Sequence, residues 1–179
     1  LITISTVGIV PGIERLAASG LGVNLALSLH APDDATRAKL VPANRRYPVA
    51  GIIRAAKEYQ ACTGRIVNIE YCLLGGINDG DAHAEALAKI LDGFRVHVNL
   101  IPYNAIGQGR SGTIYSRPSN ERLNRFIEIL CARRVVAHFR RTRGGDVGAA
   151  CGQLRGRHLL EITFGDDTKR KESVPTEPE

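Results

Sequence analysis

The chain has 179 residues, 44% of them apolar and 23% charged, with 19 Gly, 8 Pro and a formal charge of +6. That composition excludes fibrous, coiled-coil and low-complexity classes and fits a soluble globular protein about one domain long. No apolar run approaches the ~20 residues of a membrane-spanning helix, so no membrane partner is expected.

The chain opens on a strand pattern, Leu1 to Ser5, and holds no methionine even at position 1, so it reads as the carboxy-terminal part of a longer polypeptide. An amphipathic stretch from Pro11 to Ser19 follows, with Pro11 suited to a first helical turn and Gly20 to a helix end. The second strand pattern, Val23 to Leu29, runs into Pro32, after which Asp33 or Asp34 can cap a helix over Asp34 to Leu40. A further helical stretch, Val49 to Tyr59, leads to a stop at Gly64. Strand patterns at Arg65 to Leu73, Arg95 to Ile101 and Val135 to Arg140 alternate with helical ones at Ala82 to Leu91 and Asn120 to Arg133. Gly93 stands at a helix end, and Ser119-Asn120-Glu121 opens the last helix. Strands alternating with helices predict an α/β fold with a parallel sheet.

Periodicity does not decide whether that sheet is open or curled into a barrel. Strand after strand finishes in polar residues: Ser5-Thr6, Ser28-Leu29-His30, Glu70 or the Gly75-Gly76 turn, Asn99 to Asn104, and Arg140-Arg141-Thr142. A series of such tips is what the active face of a parallel barrel needs, whereas one polar tip would be only a wet loop. Asn99 is the exception, read as pairing with backbone inside the sheet. No Walker loop occurs, and the one Gly-x-Gly-x-x-Gly spacing, Gly107 to Gly112, comes late in the chain with no helical pattern opening on it, so a Rossmann or P-loop nucleotide site has no support.

Charge is concentrated late in the chain. Arg133, Arg134, Arg140, Arg141, Arg143, Arg155 and Arg157 face a single acid, Asp146, between Arg133 and Arg157. An all-Arg cluster beside Gly and Thr favours phosphate, because guanidinium offers a planar fork of donors. Residues 158–179, acidic and poor in aromatics, are expected to be a disordered tail, leaving 1–157 as the folded portion. The cysteines at 62, 72, 131 and 151 lack zinc-site spacing and follow no secretory signal, which favours a reduced, cytoplasmic setting. Cys72 and Cys131 sit in apolar patterns and read as small core residues, Cys62 lies near a helix end, and Cys151 alone lies in a Gly- and Ala-rich stretch.

Ser28-Leu29-His30-Ala31-Pro32, Asn99-Leu100-Ile101-Pro102-Tyr103-Asn104, and Arg140-Arg141-Thr142-Arg143-Gly144 followed by Ala149-Ala150-Cys151-Gly152-Gln153-Leu154 together resemble a known family. These motifs are similar to those of the radical S-adenosylmethionine RNA methyltransferases that methylate adenine at C2, the RlmN type, to which the Cfr enzymes are related. Ile4-Ser5-Thr6-Val7-Gly8, Val41-Pro42-Ala43-Asn44-Arg45-Arg46-Tyr47-Pro48 and Gly75-Gly76-Ile77-Asn78-Asp79 support the resemblance in the same order, which extends to about residue 157. It implies a partial parallel (β/α)6 barrel of the radical SAM type, represented by its third to sixth strands and a closing strand. It further implies that Ser5, Ser28, Leu29, His30 and Asn104 bind S-adenosylmethionine, and that Cys151 is the methyl-carrying cysteine. Arg140, Arg141 and Arg143 would meet ribosomal RNA, with transfer RNA a further candidate substrate. In that chemistry one S-adenosylmethionine methylates the cysteine. A second, cleaved at a 4Fe-4S cluster fed by an electron donor, activates the methyl group for addition to the electron-poor C2.

The Cys-x-x-x-Cys-x-x-Cys loop that holds the family's cluster is not found here, so no metal ligand is assigned to this chain and it is expected to be inactive by itself. The sequence also departs from the family where Gly145 and Gly148 replace acids before Ala149-Ala150-Cys151, and where Ala105 follows Asn104 in place of proline. Two other readings stay open: a non-catalytic RNA-binding remnant of such an enzyme, and a different barrel enzyme acting on a phosphorylated small molecule.

Overall fold

The computed structural model describes residues 2–104 and 114–139, all within one compact unit. Five strands, β1 (Thr3–Thr6), β2 (Asn24–Ser28), β3 (Val67–Leu73), β4 (Val96–Pro102) and β5 (Val136–Phe139), form one sheet in sequence order with every pair parallel. The crossovers contain α1 (Val10–Ala18), α2 (Asp34–Leu40), a 3-10 turn (Pro42–Arg45), α3 (Val49–Thr63), α4 (Asp81–Ile90) and α5 (Asn120–Ala132). Right-handed crossovers in a sheet whose order never reverses place every helix on one face, whereas a doubly wound sheet reverses at a switch point. Strand order thus decides what periodicity left open: this is a barrel-type (β/α) arrangement. No helix among the described residues is long and apolar enough to cross a membrane.

The core lies between the sheet and its helices. Along β3, Val67, Ile69, Tyr71 and Leu73 are buried toward the helices, and Val96, Val98 and Leu100 do the same along β4. Ile52 and Tyr59 of α3, Leu87 of α4 and Phe126 of α5 close over them. Removing side chains of this kind typically costs about 2–5 kcal/mol. Tyr59 also donates its hydroxyl to the Val23 carbonyl at 2.6 Å, tying α3 to the entry of β2.

Local chemistry sets the element ends. Thr6 Oγ1 accepts from the Gly8 and Ile9 amides, and Gly8 turns at φ +93° where a Cβ would lie 2.7 Å from Ile52 Cδ1. Asp33 caps α2 by accepting from the Thr36 amide at 2.8 Å. Asp34 serves the next helix instead, accepting from the Val49 amide at 2.8 Å, so each acid caps one helix. Ser119 caps α5 through the Arg122 amide, and Gly64, at φ +66°, ends α3.

Two expectations need correction. Cys131 is exposed, because the buried stripe of α5 runs through Leu123, Phe126, Ile129 and Leu130 and the next residue is turned about 100° away from it. Cys72 is half-buried on the face of β3 opposite Tyr71 and Leu73, outside the helix-packed core. Of the arginine run, Arg133 and Arg134 precede β5 at the amino-terminal end of the strands, where Arg133 pairs with Glu85 at 2.8 Å. Arg140, Arg141, Arg143, Arg155 and Arg157, like Cys151 and the tail, lie outside the described residues.

Candidate functional site

Because side chains alternate along a strand, the face of the sheet turned away from the helices is set by the same residues that set the core. It is polar. Register aligns Ser5 with Ala26, Asn68 and His97 in one layer, and Ser28 with Glu70, Asn99 and His138 in the next. Asn99 does not pair with sheet backbone, as the sequence reading had it: its Nδ2 donates to Glu70 Oε1 at 2.8 Å. The His97 and His138 rings meet edge to face at 5.6 Å. Strand periodicity could have shown this face, since Asn68, Glu70 and Cys72 alternate with Val67, Ile69, Tyr71 and Leu73.

Ser5 and Ser28 belong to these layers near the carboxyl ends of β1 and β2, and His30 and Asn104 follow beyond β2 and β4. Ser5 is exposed on β1, Ser28 and His30 are half-buried at the end of β2, and Asn104 is half-buried beyond β4. All four stand at the carboxyl ends of parallel strands, so the fold brings them to one end of the sheet. Leu29 is placed differently from its neighbours. Its side chain is fully buried in the core, its amide donates to the Glu70 carbonyl at 3.0 Å, and its carbonyl accepts from Arg37 Nε at 2.8 Å. It therefore anchors the segment that presents Ser28 and His30.

Arg37, not singled out in the sequence, is fully buried and is the buried residue of α2. It also donates to Asn44 Oδ1 at 3.0 Å, to the Val7 carbonyl at 2.6 Å and to the Ser28 carbonyl at 3.2 Å. One guanidinium thereby joins the tips of β1 and β2 to the 3-10 turn, and Asn44 passes the link to Asp34 at 3.0 Å. Burial lowers the pKa of Arg37 and the Asp34 carboxylate raises it, in that order of size.

On the other side of the β2 tip stands Asn78, also fully buried. Its Nδ2 donates to the His30 and Cys72 carbonyls, both at 2.7 Å, and its Oδ1 accepts from the Leu74 amide at 2.7 Å. Tyr71 donates its hydroxyl to the Asn78 carbonyl at 2.9 Å, and burial, with Asp33 and Asp79 adding to it, holds that phenol protonated. Asn104 Oδ1 accepts from Arg117 at 2.7 Å, which ties the β4 tip to the segment entering α5.

His30 itself has a left-handed backbone, φ +61°, and its Nδ1 accepts from the Cys72 amide at 3.0 Å. Burial, reinforced by the Arg37 charge, lowers its pKa from 6.5 to about 4. Burial likewise pushes the Cys72 thiol up to about 11, which makes it a poor thiolate donor. Cys62 and Cys131 are exposed on α3 and α5, and no group of three His, Cys, Asp or Glu among the described residues is arranged to hold a metal ion. A 4Fe-4S cluster needs cysteine thiolates converging on one point, and these do not converge.

A sequence-ordered parallel sheet with helices on one face and polar tips at one end is a partial (β/α)6 barrel of the radical SAM type. A solved radical SAM methyltransferase from Sphaerobacter thermophilus superposes with a TM-score of 0.79 at 52% identity, over 85% of this chain and 43% of that one. The chain is homologous to RlmN-type radical SAM RNA methyltransferases over most of its own length. It is 53% identical over 156 residues to the probable dual-specificity RNA methyltransferase RlmN 1 of Opitutus terrae, and 51% identical over 156 residues to the probable RlmN enzyme of Symbiobacterium thermophilum. It spans 44% and 41% of those two relatives, less than half of either. No family model matches the chain.

Proposed function

We propose that this chain forms part of a radical SAM enzyme that methylates C2 of adenine in ribosomal RNA, with transfer RNA a second substrate. The observation that supports this most is that Ser5, Ser28, His30 and Asn104 all lie toward the carboxyl ends of parallel strands in a chain 53% identical to an RlmN-type relative. S-adenosylmethionine, bound at these tips, supplies the methyl group. Hydroxyl, imidazole and amide side chains suit its ribose hydroxyls, adenine edge and amino-acid end.

Cys151 is the methyl acceptor in this reading: its sulfur takes the methyl group from the sulfonium and loses its proton to solvent. Arg140, Arg141 and Arg143 hold RNA phosphates. The cluster ligands, the cytoplasmic setting and the electron donor belong to the same proposal, with the ligands supplied from outside this chain. By itself the chain is inactive.

Titration of the folded chain with S-adenosylhomocysteine, followed by backbone amide NMR, tests the site. Shifts concentrated at Ser5, Ser28, His30 and Asn104 are expected. Saturable shifts confined to other residues, or none at millimolar ligand, would refute the assignment.

A further inference from the structure

The β2 tip departs from ordinary strand geometry at His30, whose φ of +61° is uncommon for any residue with a Cβ. Such a conformation persists only where its surroundings over-determine it. Two fully buried side chains do so here from opposite sides. Arg37 grips the Ser28 and Leu29 carbonyls, and Asn78 grips the His30 carbonyl and, with the same amide, the Cys72 carbonyl. Neither is among the residues that the resemblance assigns to the ligand.

The clamp has a consequence for the ring. Asn78 binds His30 and Cys72 together, which brings the Cys72 amide under the imidazole, where it donates to Nδ1. A backbone N–H can only donate, so Nδ1 must carry its lone pair. The neutral ring then bears its proton on Nε2. Nε2 is a donor and not an acceptor, and it has no hydrogen-bond partner among the described residues.

We propose that Arg37 and Asn78 are positioning residues that hold His30 in its left-handed turn and fix it as the Nε2–H tautomer, so that His30 offers the ligand a neutral hydrogen-bond donor. The acceptor class follows: a ribose oxygen, an unprotonated adenine ring nitrogen or a carboxylate of S-adenosylmethionine. This rests on the reading of the strand tips as the site for that ligand. The low pKa of His30 agrees with a ring that stays neutral near pH 7.

Long-range 15N–1H correlation of the histidine rings in the whole chain tests the proposal. At pH 7 the His30 Nε2 is expected at a protonated-nitrogen shift and Nδ1 at a lone-pair shift, with no movement from pH 8 to pH 6. An Nδ1–H tautomer, an even mixture or a midpoint near 6.5 would overturn it. Asn78→Asp keeps the shape but replaces the donating amide with an acceptor. It is expected to produce a tautomer mixture and to raise the His30 midpoint by a unit or more, while Asn78→Gln moves neither as far. An unchanged His30 in folded Asn78→Asp would refute the positioning role. Should that variant not fold, the wild-type ring spectrum still decides the tautomer, and Arg37→Lys, which keeps the charge and loses the fork, decides the clamp. Addition of S-adenosylhomocysteine separates the two readings. Shifts at the Ser28 and Asn104 amides without movement of His30 Nε2 would defeat the donor assignment alone; the predicted tautomer with no shift at any tip would defeat the ligand site and leave the clamp standing.

Discussion

Acidification should destabilise this protein through His30. The ring is neutral in the fold with a pKa lowered from 6.5 to about 4, so below pH 6.5 the unfolded chain takes up a proton that the native state does not. Stability is therefore highest above pH 6.5, falls as pH drops toward 4, and receives no further loss from this group below that. Linkage puts the loss at about 2 kcal/mol between pH 8 and pH 5 and about 3 kcal/mol by pH 3.5. The control is His30→Asn, since asparagine tolerates a left-handed backbone and its Oδ1 can accept from the Cys72 amide in place of Nδ1. Urea unfolding of both proteins, followed by far-ultraviolet circular dichroism at pH 8, 6.5 and 5, isolates the histidine, because every other titrating group is shared. The wild-type advantage over the variant should shrink by about 2 kcal/mol across that range. A difference constant with pH would show that His30 titrates alike in the folded and unfolded chains, and the reasoning from its burial would fail.

Other outcomes follow from the packing. Gly8→Ala should cost about 1–3 kcal/mol in urea unfolding, because it combines φ +93° with a 2.7 Å approach to Ile52 Cδ1. Tyr59→Phe should cost about 1–2 kcal/mol by leaving the buried Val23 carbonyl without its 2.6 Å partner. In thiol labelling at pH 8, Cys62 and Cys131 should react first and Cys72 about a hundredfold more slowly, given its thiol pushed from 9.0 to about 11. Replacing Arg140, Arg141 and Arg143 with Ala should flatten the plot of log RNA affinity against log salt by up to about 2–3. An unchanged slope would mark them as merely solvated.

The sequence carried the scaffold because its signals are local. Strand starts and ends came within a few residues of their observed places, since the alternation of Val67, Ile69, Tyr71 and Leu73 and the stops at Gly64 and Gly93 are read from neighbours along the chain. The polar tips were legible for the same reason. Arg37 and Asn78 were not, because what defines them is contact with carbonyls 6 to 48 residues away, and a lone Arg in a short helix looks like a solvated face. Barrel against open sheet also needed strand order, which no periodicity encodes. Cys131 misled because an apolar run in a helix places only some of its members on the buried stripe.

The proposal that this chain forms part of an adenine-C2 methyltransferase is tested most directly by function in a chimera. The amino-terminal portion of the Opitutus terrae relative, joined to this chain at the aligned start, would be expressed in a bacterium lacking its own such enzyme, and ribosomal RNA nucleosides analysed by mass spectrometry. The account predicts 2-methyladenosine from the chimera and none from its Cys151→Ala variant. Absence of 2-methyladenosine from a soluble chimera with its cluster assembled, or its persistence in Cys151→Ala, would contradict it.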